Sequence, residues 1–114
     1  MNDNAKRWVE ALRSGEYEQG RNWLRRGDRY CCLGVACDIA ADDLGLERTS
    51  NGWRGGRAYL PPVVQRWLGL ATRMGEFIEP ETGWQGSLVV LNDKFTPFAE
   101  IADLIEAEPE GLFA

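Results

Sequence analysis

The chain has 114 residues, a formal net charge of −5, 44% hydrophobic residues and 27% charged ones. That length suits one domain with a real core and no need of disulfide or metal staples, and the composition is not that of a disordered chain. No apolar run reaches the roughly 18 residues of a membrane helix, and the start Met1-Asn2-Asp3-Asn4-Ala5-Lys6-Arg7 is no signal peptide, so a cytoplasmic protein without membrane association is expected.

The first helix follows Asn4, read as its N-cap, with Ala5, Trp8, Val9 and Leu12 forming one apolar stripe that Ser14-Gly15 ends. Glu16–Gly20 and Asn22–Arg25 flank a glycine, are too short for helices, and predict a small hairpin or irregular extended segment. From Asp28 to Leu44 runs the densest apolar stretch, with Cys32, Val35/Ala36 and Ile39/Ala40 at helical spacing and Gly45 behind it. Apolar nearly all round in its first half, it predicts the central helix of the core. Residues 46–59, with Gly52, Gly55 and Gly56, read as a long loop or weak hairpin around Trp53.

Leu60-Pro61-Pro62 opens the next helix, whose stripe is Val63, Val64, Trp67 and Leu68 and which Gly69 stops. Glu76–Glu79 predicts one short strand before a turn at Pro80–Gly83. Ser87 is placed to cap a short helix through Leu88, Val89 and Leu91 to Asn92-Asp93. Thr96-Pro97 opens a last helix with Phe98, Ile101, Ala102 and Ile105 on one face and carboxylates on the other. The expected fold is mainly α with minor β, a compact single domain over residues 1–114 with about five helices and a small hairpin or short strands.

The chain has no histidine, which removes the commonest base, proton shuttle and metal ligand. Cys31, Cys32 and Cys37 lie within seven residues, a poor disulfide framework, and Cys-Cys-x4-Cys lacks the paired spacing and fourth ligand of a zinc site. Buried structural thiols are the expected reading, with no metal and no cofactor. Neighbouring residues on a helix do not face each other, so neither Asp42-Asp43 nor Asn92-Asp93 is a catalytic dyad, and the second pair reads as a capping turn.

Charge is uneven. Residues 1–29 carry seven basic against five acidic side chains, while no basic residue follows Lys94 and Glu100, Asp103, Glu106, Glu108 and Glu110 do. The acidic end repels nucleic acid, so direct DNA binding is not expected, whereas the N-terminal third can accept an anion. Eleven of the thirteen basic residues are arginine, and they interleave with five tryptophans. Arginine forks hold phosphate and indole faces stack on bases. Trp8 and Trp67 fall on apolar helix stripes and are assigned to the core, leaving Trp23, Trp53 and Trp84 in loops. Trp23, Arg25, Arg26, Trp53 and Arg54 are therefore the candidate ligand-binding residues.

Several blocks carry a family resemblance: Trp8-Val9-Glu10-Ala11-Leu12-Arg13-Ser14-Gly15, Tyr30-Cys31-Cys32-Leu33-Gly34-Val35 with Cys37-Asp38, Leu60-Pro61-Pro62 with Trp67-Leu68-Gly69-Leu70, and Leu91-Asn92-Asp93 with Phe98-Ala99-Glu100-Ile101-Ala102-Asp103. In these the chain resembles a family of small bacteriophage- and prophage-encoded proteins. The resemblance implies a small cytoplasmic phage accessory protein without a virion role, and it assigns no catalytic residue. The leading expectation is a non-enzymatic binder that counters host antiviral defence by capturing a small anionic nucleotide. Homo-oligomer formation suits that role, since two copies of a small domain enclose a ligand more easily than one. A second expectation is a protein-directed inhibitor of a host defence complex, anti-CRISPR-like, presenting Glu100, Asp103 and Glu106 as a phosphate mimic. A third is a cysteine-dependent enzyme using Cys31 or Cys32.

Overall fold

The computed structural model describes residues 1–114 throughout. Helix α1 (Asp3–Arg13) is capped by Asn2, whose Oδ1 accepts from the Ala5 N–H at 2.8 Å. Asn4, the expected cap, lies inside the first turn, and its amide donates to the Trp67 carbonyl at 3.1 Å. Starting at Asn2 brings the Asp3 carboxylate into the first turn, where the helix dipole favours negative charge. The stripe Ala5, Trp8, Val9 and Leu12 is buried as its spacing predicts.

Three two-residue strands follow: β1 (Glu18–Gln19), β2 (Arg25–Arg26) and β3 (Arg29–Tyr30). Their order is β1-β3-β2, with β1 parallel and β2 antiparallel to β3. The hairpin thus turns at Gly27 (φ 60°) and not at Gly20, because residues 20–24 are needed to cross from one edge of the sheet to the other.

Helix α2 (Cys32–Leu44) is the central one, with every residue from Cys32 to Cys37 buried. Its cap is Cys31, whose Sγ accepts from the Gly34 N–H at 3.3 Å. Gly34 is a glycine because the chain crosses it at backbone contact: a Cβ there would lie 1.8 Å from the Leu24 carbonyl oxygen. That oxygen accepts from the Cys31 N–H at 3.0 Å, so the sheet and the helix start are bonded through one atom. Helix α1 packs on α2, and the Trp8 indole donates to the Cys32 carbonyl at 2.9 Å from a fully buried position.

Residues 46–59 carry only isolated bridges, Arg48 with Trp53 and Trp53 with Gly56. They insert Trp53 into the core at 1% exposure, so this tryptophan is not the free loop side chain its surroundings predict. Helix α3 (Pro62–Leu68) starts with proline in its first turn and ends at Gly69. Its Trp67, assigned to the core from its stripe, is only half-buried, with the Arg7 guanidinium 5.4 Å from the ring centroid. Strand β4 (Glu76–Ile78) pairs antiparallel with β5 (Gln85–Ser87), so the single strand expected here has a partner. Ser87 then caps α4 (Leu88–Asp93), accepting from the Val90 N–H. Helix α5 (Phe98–Glu106) buries Ile101, Ala102 and Ile105, with Phe98 half-buried at its start, and packs along α1. One core cluster serves all five helices, giving the mainly α fold with minor β that the sequence predicts. No helix is long and apolar enough to cross a membrane.

Candidate functional site

Crossing from β1 to β2, the chain carries Trp23 to a place between two clefts. The larger, about 640 Å³, is lined by Trp23, Trp53 and Tyr59 with Arg54, Arg57 and Arg73, and by residues 49–51, 55, 56 and 58. The smaller, about 280 Å³, is lined by Gly20, Arg21, Trp23, Arg26 and Arg29. The first volume falls inside the roughly 300–1,000 Å³ range of small-molecule sites and the second lies near its lower edge. Six of the eleven arginines line these two clefts, and no carboxylate lines either one.

Those arginines are not equally committed. Arg54 faces Glu47 at 3.6 Å and Arg29 faces Glu18 at 4.0 Å. Arg73 is anchored by carbonyls, its Nε donating to Leu60 at 2.6 Å and a terminal nitrogen to Gly55 at 3.1 Å. Arg21 lies over the Phe95 ring at 5.0 Å. Arg21, Arg26, Arg57 and Arg73 form no ion pair with any carboxylate of the chain. Each cleft therefore holds two uncompensated guanidiniums, Arg57 and Arg73 in one, Arg21 and Arg26 in the other.

The loop that frames the larger cleft is built on close backbone contacts. A Cβ on Gly56 would lie 2.3 Å from the Tyr59 carbonyl oxygen, so only glycine lets this turn close. The Leu24 N–H donates to the Arg57 carbonyl at 2.6 Å, which fixes the loop beside Trp23. Two buried side-chain atoms find no partner within the chain, Trp53 Nε1 and Arg25 Nε. They are neighbours, the Arg25 guanidinium lying 5.7 Å from the Trp53 centroid; Trp53 lines the larger cleft and Arg25 does not.

Of the five residues singled out from sequence, Trp23, Trp53 and Arg54 share the larger cleft and Arg26 lines the smaller. Arg25 lines neither: it is the first residue of β2, and its guanidinium donates to the Gly27 and Thr49 carbonyls. Sequence reasoning missed Arg21, Arg29, Arg57, Tyr59 and Arg73. Arg57 and Tyr59 belong to the same glycine-rich loop as Arg54, a signal that was there to find, whereas Arg73 arrives only through its hydrogen bonds to Leu60 and Gly55.

The crossing itself is held from α4. Asn92 is fully buried; its Oδ1 accepts from the Cys32 N–H and the Gln19 side chain, both at 3.0 Å, and its Nδ2 donates to the Gly20 carbonyl at 2.8 Å. Asp93 accepts from the Asn22 N–H at 3.0 Å. The pair was expected to cap a turn before Thr96. The Asn92 carbonyl does accept from the Phe95 N–H at 2.8 Å in such a turn, and the two side chains in addition bind the start of α2 and the residues after β1, because α4 packs against α2.

The other candidate groups are committed elsewhere. All three thiols are free and buried; burial pushes the Cys31 thiol up to about 12 and raises Cys32 and Cys37 as well. Such thiols are poor nucleophiles at neutral pH. On α5, Asp103 and Glu106 bind Arg13 of α1 at 2.6 and 3.0 Å, and the hydrogen bond from Arg13 lowers the Glu106 carboxyl below its ordinary range. The acidic face expected to be open to a basic partner is thus partly neutralised from a neighbouring helix, leaving Glu100 unpaired among the three.

No curated protein and no solved structure matches the chain. The family model Domain of unknown function (DUF8296) matches residues 1–109, and the chain belongs to that family.

Proposed function

We propose that this protein is a non-enzymatic binder of a small anionic nucleotide, held in the clefts on either side of Trp23. The observation that carries the reading is the larger cleft, where Trp23 and Tyr59 offer aromatic faces beside the uncompensated Arg57 and Arg73. Guanidiniums bind phosphate through charge-assisted bonds, and an aromatic face accepts any base by stacking. Burial of the three thiols, which keeps them protonated, favours capture over turnover by a cysteine nucleophile. Arg13, by occupying Asp103 and Glu106, favours this reading over that of an acidic phosphate mimic. In a phage accessory protein, the role we assign to such capture is removal of a nucleotide that host antiviral defence depends on.

Calorimetric titration with a panel of mono-, di- and cyclic nucleotides tests it. At least one nucleotide is expected to bind the wild type with a Kd well below millimolar, with affinity falling as salt rises. Arg57→Ala and Trp23→Ala should each weaken that binding by roughly tenfold or more. Binding no tighter than millimolar across the panel, or variants that bind like the wild type, would refute the proposal.

A further inference from the structure

Two clefts share one aromatic wall, and their charges are matched. Trp23 lines both, and each contains two guanidiniums with no carboxylate to balance them. Like charges held together in one concavity repel, so each cleft calls for an anion of its own. Backbone hydrogen bonding sets the distance between them. Arg57 is fixed beside Leu24, and Arg26 lies two residues of extended chain further on, about 7 Å along the strand. A mononucleotide brings its phosphate charge to one end only and fills a single cleft. A molecule with two phosphates separated by a nucleoside fills both.

We infer that the ligand is a dinucleotide, with one phosphate on Arg57 and Arg73, the other on Arg21 and Arg26, and the Trp23 indole against the base or sugar between them. The inference rests on the nucleotide reading above and names its substrate class. The linkage between the nucleosides, cyclic or linear, is left to the experiment. The smaller cleft is the half of the site that a mononucleotide does not need, so Arg26 is the residue that separates the two cases. Arg26 and Arg57 are both exposed and form no ion pair, so replacing either leaves the fold intact.

The test is calorimetry of the full chain and its Arg26→Ala and Arg57→Ala variants with four probes: AMP, ATP, 5′-phosphorylated diadenylate and cyclic diadenylate. Thermal melts of the same samples confirm folding. A dinucleotide is expected to bind wild type at least about tenfold more tightly than AMP or ATP, and each variant should lose about tenfold for it. AMP should respond to only one of the two substitutions. If AMP or ATP binds as tightly as either dinucleotide, or if Arg26→Ala leaves dinucleotide affinity unchanged, the two-cleft assignment is wrong while nucleotide binding stands. If none of the four binds, both this inference and the reading beneath it fail.

Discussion

Replacing Asn92 by alanine removes three hydrogen bonds from the interior at once. The Cys32 N–H loses its acceptor in a fully buried position and the Gly20 carbonyl loses its donor in a partly buried one, while the Gln19 amide keeps the Thr96 carbonyl at 2.8 Å. A buried polar group left unpaired costs about 1–3 kcal/mol. Cys32 sits at the upper end of that range, and Gly20, which water can reach, at the lower. The sum is roughly 3–4 kcal/mol before any cavity cost, a large share of the 5–15 kcal/mol that holds a domain together. At about 4–8 °C per kcal/mol for a domain near this size, Tm should fall by at least about 12 °C. Urea and thermal melts followed by circular dichroism measure it. Asn92→Asp gives a second handle. It keeps the acceptor oxygen but buries a carboxylate against the Gly20 carbonyl, so burial raises that carboxyl in the folded chain. Its stability should recover as pH falls toward the ordinary Asp range and worsen as pH rises above it. A loss below about 1 kcal/mol for Asn92→Ala would show that the bonds from α4 do not hold the crossing, and the reasoning would fail.

Three further outcomes follow from the structure. The buried thiols stay protonated in the folded chain while those of the unfolded chain ionise near pH 8.5; their stabilising contribution is complete below that pH and lost as pH rises toward 12. Three such groups give a slope of about 4 kcal/mol per pH unit above roughly pH 9, and urea midpoints at pH 8 and 9.5 should differ accordingly. A flat profile, or native thiols that react quickly with a probe at neutral pH, would contradict their burial. Gly34→Ala drives a methyl into the Leu24 carbonyl and should prevent folding or cost more than about 3 kcal/mol; a well-folded variant in denaturant melts would overturn the contact. Arg13→Ala should let the Glu106 carboxyl return to its ordinary range, seen as a rise in its NMR titration midpoint. Because Arg13 depresses that carboxyl, its stabilising effect is present above the ordinary Glu value and disappears as pH falls through the lowered one. No change in the midpoint would remove the ion pair from the account.

What was legible in the sequence was local. The α1 stripe, the burial of α2, Ser87 as a cap and the stops at Gly45 and Gly69 each depend on a handful of neighbouring residues, and each is found where it was expected. Asn2 and Asn4 are both competent caps, and choosing between them needs Trp67, far along the chain, which accepts from both amides. The same limit explains the sheet: nothing near Gly20 says that β1 pairs parallel with β3, a register set by the Gly20 N–H donating to the Tyr30 carbonyl and by Leu24 lying against Gly34. In the candidate site, residue type was informative and residue fate was not. Arginine and tryptophan pointed to residues that line the two clefts, yet Arg25 is consumed by Gly27 and Thr49, and Trp53 sinks into the core. Asn92 had no local signature at all, because its three partners lie at positions 19, 20 and 32.

The most direct measurement is the set of five indole N–H resonances in an ¹⁵N-correlated NMR spectrum during a nucleotide titration. The tryptophans report separate places: Trp8 in the core, Trp67 under Arg7, Trp84 exposed at the β4–β5 hairpin, Trp53 at the base of the larger cleft, and Trp23 between the two clefts. A dinucleotide should shift Trp23 most, move Trp53 with it to the same saturation point, and leave Trp8 and Trp84 in place. Saturable shifts confined to Trp84 or Trp67, or no shift of Trp23 at ligand concentrations well above that of the protein, would contradict the assignment of a nucleotide site to these clefts.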